Sequence, residues 1–116
     1  MVAGGLFSEL SDNALEVYRN LTLSLIANSN GAAYTLFPLY RDIEFTASRK
    51  KDLGLKYYSS PFDMAFVSGI VDSLKEGGLV DISKNENNID SYKITDYGLQ
   101  VHKRLPFTYK SNITFV

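Results

Sequence analysis

The sequence predicts an α+β domain in which helices gather around a small β-hairpin and a C-terminal helix closes the chain. Three observations predict it. Residues 60–78 read as a capped helix ending in Gly77-Gly78. Residues 79–95 then read as strand, polar loop and strand. The whole chain has 116 residues, 45% of them apolar and 22% charged, which suits one small globular domain rather than a disordered segment.

Taken in order, residues 1–10 form an N-terminal arm without a basic leader or an apolar run long enough for a signal peptide. Ser11 or Asp12 can cap a first helix through Leu15, Tyr18, Leu21, Leu25 and Ile26, ending near Asn28 to Gly31. Val17 and Leu23 widen its apolar surface beyond one stripe. That width fits a central helix with several neighbours, or a helix that also meets a second copy of the chain.

Thr35 can cap a second helix through Leu36, Leu39, Tyr40 and Ile43. Pro38 is tolerated only in its first turn, where no intrahelical N–H is lost. The helix reaches Glu44 or beyond; residues 45–51 either continue it or break at Thr46. Residues 56–59 read as extended or loop, and the span between the second and third helices holds either an insertion or, the reading favoured, a short extra helix.

The third helix is the most legible. Ser60 is an N-cap, Pro61 fits the first helical position, and Asp63 sits where a capping-box acid would. Val67, Ile70, Val71 and Leu74 recur at helical period, and Gly77-Gly78 stops the run. Leu79 to Ser83 reads as the first strand, Lys84 to Asn88 as a polar tip, and Tyr92-Lys93-Ile94 as the returning strand. Thr95 or Asp96 caps a last helix through Leu99, Val101, His102 and Leu105, which Pro106 ends. Residues 106–116 form a β-leaning tail with Phe107, Tyr109, Ile113 and Phe115, suited to adding a strand to the hairpin or crossing to a partner chain.

The run from "SLKEGGLV" to "YKITDYG" resembles the end of a winged helix-turn-helix domain in the style of MarR- and PadR-like transcriptional regulators. The likeness covers about residues 62–105 and rests on residues that build the fold. It implies that the helix from Pro61 to Gly77 is a recognition helix, that residues 79–95 are the wing, and that 11–105 is one winged-helix domain. It also implies a dimeric DNA-binding regulator with no catalytic chemistry. The connection between the second and third helices departs from a tight helix-turn-helix, which leaves only a few residues there.

Charge distribution places the nucleic-acid candidates. Residues 49–56 hold Arg49, Lys50, Lys51 and Lys56 against Asp52, a net of +3. Together with Tyr57 and Tyr58 they can contact a phosphate backbone or stack on an unpaired base, or else form a solvated loop with aromatic anchors. Ser68 and Lys75 on the third helix, and Lys84 and Lys93 flanking the Asn-rich tip, complete the DNA-contact set. Against them, residues 63–95 sum to −3. The outward positions Ala65, Ser68, Gly69, Asp72 and Glu76 include no Arg, Lys, Asn or Gln for reading base edges. A protein-interaction module on the same scaffold is therefore the rival, its small residues admitting a partner and its acids pairing with the partner's basic groups.

Catalysis has little to draw on. One histidine, no cysteine and no phosphate-cradling glycine loop exclude thiolate nucleophiles, cysteine–zinc sites and nucleotide-binding loops, and no cofactor is expected. The absence of cysteine points to a cytoplasmic setting, and no apolar run approaches the ~20 residues of a membrane span. Asp72 and Glu76 lie one turn apart, which allows a weak paired carboxylate site but is first of all the spacing of ordinary surface acids.

Overall fold

The computed structural model describes residues 12–29, 33–49 and 64–106, with side chains described from residue 15 and not for 47–49. Element order is α1 (Asp12–Ala27), α2 (Leu36–Arg49), α3 (Met64–Glu76), β1 (Val80–Lys84), β2 (Asp90–Ile94) and α4 (Asp96–Lys103). It is an α+β winged-helix arrangement, with helices flanking an antiparallel hairpin and α4 closing the chain.

The core forms where α1 lies central. Leu21 to Ile26 are buried on every side of that helix, and α1 packs on α2, α3, α4 and β2. A helix apolar all round must be interior. Val17 and Leu23, whose width left a subunit contact open, are only 7% and 2% exposed within the single chain. They are spent on the core and are not offered to a second copy. Thr22 is tolerated there because its hydroxyl donates to the Tyr18 carbonyl at 2.7 Å.

Helix α2 settles the ambiguity after Ile43 by running on to Arg49, with Leu39, Ile43 and Thr46 buried. Pro38 is its third residue, inside the first turn as expected. Ser60, Pro61 and the expected extra helix lie outside the described residues, and α3 is seen from Met64. Phe66, Val67, Ile70, Val71 and Leu74 form its buried side.

The end of α3 explains how the hairpin is aimed. The Gly78 N–H donates to the Lys75 carbonyl at 2.9 Å, and the Leu79 N–H donates to the Leu74 carbonyl at 3.0 Å. With Gly78 at φ +79°, this is a Schellman closure, which needs a left-handed residue that glycine supplies at least cost. Because Leu79 completes the helix cap, β1 begins at Val80 rather than Leu79 and runs to Lys84. β2 likewise begins at Asp90, two residues before Tyr92.

The register pairs Val80 with Ile94, Asp81 with Lys93, Ile82 with Tyr92, Ser83 with Ser91 and Lys84 with Asp90. Tyr34, just before α2, adds a pairing on the other side of β2. Its N–H donates to the Tyr92 carbonyl at 3.1 Å, and the Tyr92 N–H donates back at 2.7 Å. The base of the hairpin is thereby stitched to the start of α2. Helix α4 ends two residues before Leu105, where the periodicity carries it, at Lys103, with Arg104 as its C-cap.

The Tyr34 hydroxyl donates to Asp42 Oδ2 at 2.6 Å. Burial, then the hydrogen bond to Asp42 and its charge, raise the Tyr34 pKa well above the ordinary tyrosine value. A group whose pKa is raised on folding contributes stability that is full below its unfolded pKa and lost as pH rises through the folded one. We therefore expect stability in urea to fall as pH climbs beyond about 10. Tyr34→Phe should flatten that fall in part, leaving the share of Tyr92, whose pKa is raised by burial and then by Asp90 and Asp72. An unchanged alkaline slope in the variant would count against the Tyr34–Asp42 contact.

Candidate nucleic-acid interface

Beside α3 stands the hairpin, and the exposed side chains of the two define the candidate surface. The outward side of α3 carries Ala65, Asp72, Lys75 and Glu76 exposed, with Ser68, Gly69 and Ser73 half-buried. Lys75 thus sits free at the last turn between two acids. Ser68 is recessed and presents a short hydroxyl.

On the hairpin the register separates the two lysines. Side chains alternate between sheet faces. Lys93 shares the face of Asp81, Ser83 and Ser91 and lies directly opposite Asp81 across the ladder. Lys84 falls on the parity of Val80 and Ile82, whose face turns toward the core, but extends beyond it at the tip. Its Nζ lies 2.9 Å from Asp90 Oδ1, with both side chains more than half exposed. Each wing lysine therefore has an acid beside it, and the two do not form one basic face.

Asparagines of the tip divide by role. Asn85 Oδ1 accepts from the N–H groups of Asn87 at 2.8 Å and Ile89 at 3.0 Å, so this side chain builds the turn. Asn88 supplies the left-handed step at φ 62°. Glu86, Asn87 and the exposed Ile89 remain at the apex.

Of the basic run, Arg49 is the last residue of α2, which starts that run directly at a helix end; its side chain, and Lys50, Lys51, Lys56 and Tyr57, lie outside the described residues. No protein-family model, characterised protein or solved structure matches the chain. The winged-helix arrangement accordingly rests on the geometry above, and the likeness to MarR- and PadR-like regulators remains a likeness.

One surface escaped the sequence reading. Phe37 on α2 is 53% exposed, stacks on Tyr40 with centroids 6.5 Å apart, and lies under the Arg41 guanidinium at 5.6 Å. The signal was present: Phe37 and Arg41 are four residues apart, hence neighbours on one helical turn. The stripe legible for that helix is Leu36, Leu39, Tyr40 and Ile43, which leaves Phe37 out. Lys103 and Arg104 are exposed at the end of α4, where positive charge suits the helix dipole.

Among the described residues no group of three or more His, Asp or Glu side chains could hold a metal ion. No helix there is long and apolar enough to cross a membrane.

Proposed function

We propose that the protein binds double-stranded DNA as a homodimeric transcriptional regulator of the cytoplasm, occupying DNA without chemistry of its own. The observation that carries this reading is the hairpin locked beside the exposed side of α3 by the Leu74–Leu79 closure. Binding is led by phosphate contacts. The outward side of α3 offers Ser68 and Lys75 but no Arg, Asn or Gln to read a base edge. Arg49, Lys50, Lys51, Lys56 and Tyr57 supply the main contact with the backbone, and Lys84 and Lys93 add weaker ones because each has an acid at hand.

Neutralising Arg49, Lys50 and Lys51 together to Gln should weaken binding to a mixed-sequence duplex. It should also lower the slope of log K against log salt by about 2 to 3, with circular dichroism unchanged. Unaltered affinity and slope in this variant would reject the assignment of these residues. A second reading is favoured by Asp72 and Glu76 on the exposed side of α3: a protein-interaction module whose partner presents basic side chains. Absence of duplex binding by the native chain at low salt would select it.

A further inference from the structure

We propose that the groove between α1 and α3 binds a small monocarboxylate with an aliphatic body, held at its carboxylate by Arg19. The groove has a volume of about 330 Å³ and is lined by Leu15 and Arg19 from α1 and by Gly69, Ile70 and Ser73 from α3. That is the lower end of the range of small-molecule sites, which are mostly apolar with a few placed polar groups. The walls here follow that pattern, since Leu15 and Ile70 give aliphatic surface while Arg19 and Ser73 give the polar atoms.

Arg19 is the unusual member. It makes no ion pair or hydrogen bond among the described residues, and its Nε is out of solvent with no acceptor. A buried N–H of a permanent cation is a group that ordinarily has a partner. Guanidinium and carboxylate are planar and match through two parallel N–H···O bonds, here from the two Nη atoms, because Nε is closed to an acceptor the size of water. A single carboxylate therefore answers the charge that these walls leave unpaired. A chain of a few carbons then lies against Leu15 and Ile70, and the Ser73 hydroxyl can donate to a carboxylate oxygen. More highly charged anions lack a second cation on these walls.

The site joins α1, the centre of the core, to α3, so an occupant stabilises their packing. It is independent of the DNA reading, because binding can be measured without DNA and would survive a failure of the duplex experiment. The test uses hexanoate on the full chain in ordinary saline. About 10 mM hexanoate should raise Tm by about 5 °C, corresponding to a Kd near ~1 mM. Acetate, which lacks the body, and 1-hexanol, which lacks the charge, should each shift it far less. Arg19→Gln should weaken hexanoate at least ~10-fold. Ser73→Leu, which fills the groove from a half-buried position on its wall, should do the same and serves if the Arg19 variant folds poorly. Hexanoate acting no better than acetate or 1-hexanol on the native chain would overturn the proposal, as would undiminished affinity in a folded Arg19→Gln or Ser73→Leu variant.

Discussion

Replacing Gly98 with Ala is expected to destabilise the protein by about 3 kcal/mol or more, although Ala favours a helix over Gly by about 1 kcal/mol in the abstract. The reason is local crowding. A Cβ at Gly98 would lie 2.1 Å from the Leu79 carbonyl oxygen, 2.7 Å from Ile94 Cδ1 and 3.0 Å from the Leu79 carbonyl carbon. Leu79 has little freedom to retreat. Its N–H is committed to the α3 cap, and its carbonyl accepts the Thr95 N–H at 3.1 Å.

Relief requires α4 to move off the hairpin, which disturbs the Thr95 hydroxyl. That hydroxyl accepts from the Gly98 N–H at 2.9 Å and donates to the Gly78 carbonyl at 2.7 Å. One threonine thus caps α4 and ties it to the end of α3. Thermal unfolding should show a loss of about 10 to 20 °C in Tm. Gly77→Ala is the matched control, because a Cβ there meets nothing closer than 3.7 Å. Equal Tm in the Gly98 and Gly77 variants would show that the close approach is not as described.

Legibility in the sequence followed the range of the interaction concerned. The α3 stop, the hairpin after it and the Thr95 cap are written in neighbouring residues, and all were readable. The pairing of Tyr34 with Tyr92 joins positions far apart in the chain, and no local pattern announces it. Strand boundaries were off by one residue at Leu79 and by two at Tyr92, and in a sheet a small error matters because faces alternate. In the sequence Lys84 and Lys93 flank the tip, and the register sets them on opposite faces. Nothing local marks Gly98, because its constraint comes from the Leu79 carbonyl across the fold. No sequence pattern singles out Arg19; only packing of α1 on α3 reveals the groove that it lines.

Phe66→Ala should cost about 3 to 5 kcal/mol, the range for deleting a buried aromatic ring. Phe66 is 1% exposed and meets Tyr18 edge-on, with centroids 5.3 Å apart and planes at 87°. That contact links α3 to α1. Such a pair contributes roughly 0.5–1.5 kcal/mol beyond the area it buries. A domain of this size has about 6 to 17 kcal/mol in all, so the loss is a large fraction of its stability. Urea unfolding gives the number directly. Phe66→Leu, which keeps most of the apolar volume, should cost clearly less, and the Tyr18→Leu and Phe66→Leu pair should show positive coupling in a double-mutant cycle. The functional consequence runs along α3. Leu74 carries the closure that aims the hairpin, so loosening α3 at Phe66 loosens the wing with it. Duplex affinity in the Phe66→Leu variant should therefore fall by more than its folded fraction accounts for. Affinity that tracks the folded fraction alone would mean that the hairpin keeps its aim without the α1–α3 contact.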